Sequence, residues 1–374
     1  MATNLVERSF EEERLRTKTI PRLFDEHSVL KLAPLLPVGE NGSDGLGGDE
    51  AVSETVEGAP QGLGAVQLRL MQGLAQEVTI LRPELLIGGA TVGELAWVFG
   101  KDRAAIGDTW RHRLWRRADG SGRLDAWAWV HLPYTVTRSD GSTYTSNSAN
   151  LTWQVHPDRP ELLDEILDWY AEQAAGLDRA VTPQDQDTHM LARLPAHGYE
   201  PDTEMGGDDG DWVQWNHRPL ADFSEPALPA GFRFRTAAEV GQAAAARAHV
   251  DAWHPSTFTE TGMAGVQATW PYRDDLHVLV EAPDGTLVAT AIVWFDPESR
   301  TAEFEPVGTH RSYRRQGLAT ALSWHGMHVA RDAGAETMLV ACRGAPAHAA
   351  ARELYYGVGF QPLARDVPYI KRAK

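Results

Sequence analysis

A short basic loop, residues 314–320, lies between a strand-like segment at 302–308 and a helical pattern. Apolar residues at helical spacing follow it: Leu318, Ala321, Leu322, Met327 and Val329. The first turn of a helix has unpaired N–H groups and a positive dipole end, which attract an anion. Gly317 and Ala319 would let a phosphate approach the backbone closely. The sequence therefore predicts a pyrophosphate-binding loop.

Two carboxylates precede this loop. Glu303 and Glu305 stand two residues apart in the strand-like segment, so we expect both to point to one face. Carboxylates this close can raise each other's pKa, which suits proton transfer. The alternative is that one or both solvate a strand end or pair with an arginine.

The loop resembles motif A of the GNAT acyltransferase superfamily. The motif has Arg or Gln, two residues, Gly, one residue, then Gly or Ala, and it matches Arg314, Gly317 and Ala319. A second family signature, Ala-x-x-Leu-Tyr-x-x-x-Gly-Phe, resembles residues 351–360. Two motifs in the right order, with a plausible strand between them, make the resemblance specific, and it covers about 230–374.

The resemblance implies that acetyl-CoA is the cofactor. Val307 corresponds to the backbone amide that contacts the thioester carbonyl, and Thr309 to the backbone that pairs with pantetheine. His348 stands where the family commonly has an Asn that contacts pantetheine, so this contact is in doubt. The loop residues that would cradle the pyrophosphate are Arg314, Arg315, Gln316, Gly317, Leu318, Ala319 and Thr320.

The resemblance also assigns catalytic roles. Glu303 takes the position of the general base, with Glu305 as the alternative. Tyr355 takes the position of the general acid near the sulfur of CoA, although a tyrosine that only packs a helix would look the same. Tyr356 is expected to pack.

The acceptor pocket is implied by position rather than by a motif. In the family, the first helical region and the loop after it line this pocket. Aromatic rings and an aspartate suit a partly apolar, cationic amine, but packing explains the tryptophans equally well. The corresponding residues here are Asp251, Trp253, His254, Trp270 and Tyr272.

Composition narrows the functional classes. The chain has 374 residues and a formal net charge of −17, which argues against binding nucleic acid or a membrane surface. Cys342 is the single cysteine, and no long apolar run or leader is recognisable, so a cytoplasmic protein is expected. His325 and His328 lack further ligands at metal-binding spacing, so no metal is expected.

The first half of the chain resembles a degenerate copy of the second. A strand, a loop without glycines at 155–162 and a helix follow one another, and 197–201 parallels 358–362. We therefore predict an α/β (α+β) protein with two GNAT-like domains, each a mixed, mostly antiparallel sheet flanked by helices. An unrelated α+β domain is the alternative for the first half. The predicted divisions are an extension with an acidic, Gly-rich segment at 1–65, the degenerate domain at 66–220, a linker at 221–230 and the catalytic domain at 231–374.

Local patterns complete the expectation for the first half. Helices are predicted at 66–77, 92–100 and 104–117, and strands at 124–132 and 150–155. The strands are predicted to be separated by a turn at 139–142.

The sequence thus predicts an N-acetyltransferase that acts on a small-molecule amine by direct attack in a ternary complex, as a monomer or homodimer. A non-catalytic acyl-CoA-binding or sensing protein is the alternative. A third possibility is an enzyme of this fold that uses a longer acyl donor.

Overall fold

The computed structural model describes residues 63–85 and 90–374. The predicted extension therefore lies outside the described residues as far as residue 62. No helix in the described part of the chain is long and apolar enough to cross a membrane.

The first half begins with two helices and continues as a mostly antiparallel sheet. Its elements are α1 (Ala65–Leu81), α2 (Val92–Ile106), β1 (Trp110–Arg116), β2 (Leu124–His131), β3 (Tyr134–Thr137), β4 (Thr143–Ser146), β5 (Ala149–Val155), α3 (Leu162–Gln173), β6 (Arg179–Val181), α4 (Thr188–Arg193), β7 (Glu200–Pro201) and β8 (Val213–Pro219).

The second half opens with a strand and three helices and then follows a similar order. Its elements are β9 (Arg233–Thr236), α5 (Ala237–Val240), α6 (Gln242–Ala252), α7 (Glu260–Gln267), β10 (His277–Glu281), β11 (Leu287–Asp296), β12 (Thr301–Thr309), α8 (Leu318–Asp332), β13 (Thr337–Arg343), α9 (Ala349–Gly357), β14 (Gln361–Arg365) and β15 (Tyr369–Lys371).

The strands form two large sheets of similar design, and β3 and β4 form a separate two-stranded sheet. The first has the order β1-β2-β5-β6-β15-β7 and the second β14-β8-β13-β12-β11-β10-β9. In each sheet one central pair is parallel, β5 with β6 and β12 with β13, and the other pairs are antiparallel. The α/β class with two mostly antiparallel sheets flanked by helices is confirmed.

Each half contributes one strand to the sheet of the other half. β8 comes before the linker in sequence, yet it pairs with β13 and β14 of the second sheet. In return β15, at the end of the chain, lies between β6 and β7 of the first sheet. The division at 66–220 and 231–374 remains a prediction about the units of the chain, and the sheets themselves are interlocked.

Helix α2 is buried from both sides and joins the two halves. Its Leu95 and Phe99 pack with Trp127 and Trp129 in the core above the first sheet. Ala96 and Trp97, on its other side, pack in a cluster with residues of α6, α7 and β11 of the second half. Helix α2 of the first half therefore covers part of the second sheet at β11.

The predicted helix at 104–117 is wrong in its greater part. Helix α2 ends at Ile106, and β1 (Trp110–Arg116) pairs with β2 from Trp110 opposite His131 to Arg116 opposite Leu124. Pairing with a buried neighbouring strand outweighs the weak helical preference of this segment. The helices predicted at 66–77 and 92–100, the strands at 124–132 and 150–155, and the turn at 139–142 between β3 and β4 are confirmed.

Candidate active site

Strand β12 diverges from β13 at the centre of the second sheet. The two pair in parallel only from Thr301, opposite Thr337, to Phe304, opposite Val340. After Val340, β13 no longer pairs with β12. It continues to pair with β8 on its other side, as far as Arg343. A gap therefore opens between the two strands beside residues 305–309.

A bulge in β12 lies at the start of this gap. Ala291 of β11 is opposite Val307 and Val293 is opposite Phe304, so Glu305 and Pro306 together face a single residue of β11. A bulge of this kind bends the strand and disrupts its ladder. It also breaks strict alternation, so the sequence argument that Glu303 and Glu305 share one face does not carry across it.

Tryptophan 253 covers the strand at the residues expected to contact the thioester. A Cβ added to Gly308, which lies between Val307 and Thr309, would be 2.3 Å from the Trp253 ring. Only a glycine permits this approach. The Thr309 hydroxyl is buried with no hydrogen-bond partner among the described residues, so one polar group at this edge is left for a ligand.

The loop after β12 has the backbone of an anion cradle. Arg315 and Gly317 have positive φ angles of 60° and 78°, a conformation that occurs in anion-binding nests, and a Cβ added to Gly317 would meet nothing within 4 Å. The first α8 hydrogen bond runs from the Ala321 N–H to the Gly317 carbonyl. The amides of residues 318–320 therefore precede the helical ladder.

The predicted cradle residues divide into two groups. Arg314 turns back, donating from Nε to the Thr309 carbonyl at 3.0 Å and from Nη2 to the Ala252 carbonyl at 3.5 Å. It thus braces the loop against β12 and α6. Leu318 is buried, and Ala319 is half-buried. The exposed members are Arg315, Gln316, Gly317 and Thr320.

The corresponding loop of the first half is filled by its own charges. Arg159 forms ion pairs with Asp125 and, at 2.5 Å, with Glu161. Helix α3 begins at Leu162, just after Glu161, and Pro160 has no N–H to donate. The first N–H groups here, of residues 162–164, donate to the carbonyls of Arg159, Pro160 and Glu161, so this helix start differs from the one after Gly317.

Glu303 is buried beside the first half of the chain. The residue is only 3% exposed, and its Oε2 accepts a hydrogen bond from Thr91 Oγ1 at the start of α2. The carboxylate lines a narrow cleft of about 20 Å³, roughly the room that one water needs, together with residues of both halves, among them Thr79, Trp294, Asp296 and Leu339. Glu305 is also buried, and its backbone carbonyl accepts a 2.6 Å hydrogen bond from Trp294 Nε1.

The predicted acid and the predicted pantetheine contact lie on the other flank of the gap. Tyr355 of α9 is 5% exposed, and its ring lies 5.8 Å from that of Phe360 within the core under α8. His348 is buried and lies 2.8 Å from Arg343 Nη1 through Nε2. Because arginine can only donate, that histidine nitrogen accepts.

The predicted acceptor residues fall into two places. Near the end of β12 are Asp251, exposed in the last turn of α6, Trp253, and His254, whose Nδ1 is 3.0 Å from Ser139 Oγ of the first half. The second group lies beside α1 and β10. There the Arg69 guanidinium stacks 3.9 Å from the centre of the exposed Trp270 ring.

Burial shifts the protonation of the rings around these residues. Tyr272 donates or accepts at 2.9 Å with His277 Nδ1, and desolvation raises the pKa of its phenol. Burial lowers the pKa of His277 to about 3, and that of His249 well below its usual range. His249 stacks on Trp253 with ring centres 4.2 Å apart. Two neutral imidazoles, those of His249 and His277, therefore contact the rings of Trp253 and Tyr272.

Thr91, Trp294 and Ser139 were missed by sequence reasoning. Thr91 lies 212 residues from Glu303 in the chain, so no local spacing connects them. Its one signal in the sequence is a helix-capping pattern, Thr91 followed three residues later by Glu94. A cap alone does not predict a contact with Glu303. Among the described residues, no group of three or more His, Cys, Asp or Glu side chains could hold a metal ion.

Comparison with known proteins identifies this architecture. Residues 244–360 match the model of the Acetyltransferase (GNAT) family. No protein of curated function matches the sequence. The family match lies within the second half of the chain and supports acyl-CoA-dependent acyl transfer in general.

Two solved structures share the fold of the larger part of the chain. A tandem GNAT protein from the clavulanic acid biosynthesis pathway is 16% identical, with a TM-score of 0.54, and the match covers 86% of this chain and 98% of that protein. A GCN5-related N-acetyltransferase from Sphaerobacter thermophilus is 20% identical, with a TM-score of 0.50, over 70% of this chain and 81% of that protein. At these identities the likeness concerns the fold, and it confirms the tandem GNAT layout.

Proposed function

We propose that the protein is an N-acetyltransferase that transfers the acetyl group of acetyl-CoA to the amine of a small molecule. The observation that carries the proposal is the buried Glu303 carboxylate on β12, the strand whose next residues border the open gap and lead into the loop. A protein that only held acyl-CoA would need the gap and the loop. It would have no need of a buried carboxylate beside them, which is costly to desolvate.

The residues of the second half fit the cofactor. The exposed backbone of residues 315–317 and the first amides of α8 would hold the pyrophosphate, with open space at Gly317. The buried Thr309 hydroxyl and the adjoining backbone would contact pantetheine. Acetyl-CoA supplies an activated thioester, and the filled loop of the first half leaves a single place for it.

In the proposed reaction, Glu303 accepts a proton from the amine, directly or through water in its cleft, because a protonated amine has no lone pair to attack with. The Val307 N–H would donate to the thioester oxygen as negative charge develops there. Tyr355 would donate its phenolic proton to the departing sulfur. The amine attacks while both substrates are bound, so no acyl-enzyme forms.

The cationic, partly apolar amine is proposed to reach Glu303 from the side of the first half. Trp253 and His254 would line its path near Gly308, and Trp270 with Tyr272 would border the cleft side. Asp251 is exposed and would attract positive charge from solution. A monomer or homodimer in the cytoplasm remains our expectation for the working protein.

The test is a screen of primary and secondary amines with acetyl-CoA, with release of free thiol as the readout. We expect at least one amine to be acetylated, and Glu303→Gln to lower the rate most near neutral pH, with partial recovery as pH rises. Glu305→Gln is the matched control for the alternative base. Tight binding of CoA without turnover of any amine would instead indicate a binding or sensing protein, and turnover only with longer acyl-CoA would change the donor.

A further inference from the structure

Thr91 of the first half touches the predicted base of the second half. Its hydroxyl donates to Glu303 Oε2, and the two residues are 6% and 3% exposed. Thr91 is also the N-cap of α2, where Oγ1 accepts the Glu94 N–H at 2.9 Å. An ionised carboxylate can only accept, so the Thr91 hydroxyl donates its proton to Glu303 while its oxygen accepts the Glu94 N–H.

The start of α2 favours the ionised form of Glu303. A Cβ added to Gly93 would lie 2.8 Å from Glu303 Oε2, so the first turn of this 15-residue helix approaches the carboxylate closely. The positive end of a helix dipole stabilises a nearby anion, and a hydrogen bond to a carboxylate does the same. Both effects oppose the desolvation of the buried carboxyl and favour the form that can accept a proton.

The other charged groups around the cleft oppose this effect or are engaged elsewhere. Asp296 of β11 lines the same cleft and accepts 2.5 Å hydrogen bonds from Gln76 Nε2 and Ser299 Oγ. Glu305 follows on β12, and Glu94 stands in the first turn of α2. Burial is the larger influence on Arg69 of α1 and lowers the pKa of its guanidinium, while its interaction with the charge of Asp296 raises that pKa. Because the Asp296 carboxylate shares the cleft with Glu303 and disfavours a second negative charge there, the contribution of Thr91 becomes more important.

We propose that Thr91 is a positioning residue, through which the degenerate first half orients and ionises the base of the second half. This inference rests on the proposed function of Glu303. It gives the first half a role in catalysis although its own cofactor loop is filled. It also explains why the start of α2 is placed at the second sheet rather than at solvent.

The test compares three variants of the full chain. Thr91→Val keeps the shape and removes the hydroxyl, and Thr91→Ser restores it. Thr259→Val is the control for loss of a cap, since Thr259 caps α7 by accepting the Gly262 N–H at 3.0 Å. The readouts are the pH profile of kcat/KM, the KM for acetyl-CoA and the melting temperature.

Thr91→Val should move the acidic limb of the kcat/KM profile up by about one pH unit, with KM for acetyl-CoA unchanged. Thr91→Ser should return the limb to its wild-type position. Thr259→Val should lower the melting temperature without moving the limb. An activity loss in Thr91→Val that follows only the melting temperature, with the limb in place, would overturn the proposal.

A second measurement does not depend on activity. Infrared spectra of the wild-type protein and Glu303→Gln, recorded across a pH series and subtracted, isolate the protonation of the Glu303 carboxyl. Its midpoint should rise by about one pH unit in Thr91→Val. If no amine is acetylated but this midpoint rises, the proposed function fails while the link between Thr91 and Glu303 stands. An unchanged midpoint would refute the link itself.

Discussion

Tyr355 and Tyr356 are neighbours on α9 with opposite environments. Tyr355 is 5% exposed and packs with Phe360 in the core beside the gap. Tyr356 is 40% exposed, and its hydroxyl accepts from Gln214 Nε2 at 2.6 Å. Removing the hydroxyl from each ring in turn therefore distinguishes a tyrosine that takes part in the reaction from one that only packs.

We expect Tyr355→Phe to lower kcat on the order of 100-fold or more, because a general acid acts as the thiolate departs. Affinity for acetyl-CoA should change little, since the hydroxyl matters mainly in the transition state. Steady-state kinetics and calorimetry measure the two quantities. Tyr356→Phe is the matched control and should keep kcat near wild type. An unchanged kcat with a lowered melting temperature in Tyr355→Phe would make this tyrosine structural.

At the residue level, sequence spacing placed groups within one motif but not across the halves. Glu303, Tyr355 and the loop could be proposed because each belongs to a contiguous pattern. Thr91 and Ser139 reach the site through packing between the halves, which no spacing encodes. The orientation of Arg314 was also hidden, because a basic side chain in a loop can face either a phosphate or the backbone carbonyls that it braces here.

At the level of elements, the two strand–loop–helix units differ in the loop that leads into the helix. In the second half the loop into α8 has two positive φ angles and free space at Gly317. In the first half the loop into α3 contains Pro160 and the Arg159–Glu161 ion pair. The difference is local, and for that reason it could be recognised from the missing glycines alone.

We expect Gly317→Glu to abolish acetyl-CoA binding while the protein stays folded. A carboxylate would stand where the anion lies and repel it, and open space around this glycine leaves room for the side chain. Calorimetry should give one site per chain for the wild type and none for the variant. Gly120→Glu is the control, since Gly120 has a similar φ of 74° and equally open surroundings. Retained binding in Gly317→Glu, or two equivalent sites in the wild type, would contradict the assignment.

The strand at Trp110–Arg116 shows where element prediction failed. The segment carries helix-compatible arginines and follows a helix, so local preference favoured continuation. Its burial and its pairing with β2 are set by the rest of the sheet. The helices that flank the sheets carry apolar residues at helical spacing, and this pattern was sufficient to predict them.

For the whole molecule, the exchange of β8 and β15 makes each sheet depend on both halves of the chain. The duplication was predicted from paired motifs, but the exchange was not, because each strand follows its own half in sequence. A closing strand has the same pattern in either sheet. Only the partner strands, β13 and β14 for β8, and β6 and β7 for β15, distinguish the two arrangements.

The interlocked cores also bury histidines from both halves. His131 is 2% exposed, and its ring lies 5.0 Å from that of Trp129. Burial lowers the pKa of His131 to about 3 and that of His277 to about 3 as well. These imidazoles are neutral in the folded protein over a range in which the unfolded chain, with a pKa of 6.5, is protonated.

We therefore expect the free energy of unfolding to fall as pH falls from about 6.5 toward 3. In this range the unfolded state binds more protons than the folded state, so each such histidine contributes a slope of about 1.4 kcal/mol per pH unit. Urea unfolding at several pH values measures the slope. His131→Phe keeps an aromatic ring among Trp110 and Trp129 and removes the titration, so the slope should decrease by about one histidine's share. His189→Phe, at an exposed position on α4, is the control and should retain the wild-type slope. An equal slope in wild type and His131→Phe would show that His131 is protonated in the folded protein, and its burial among tryptophans would then need another charge to balance it.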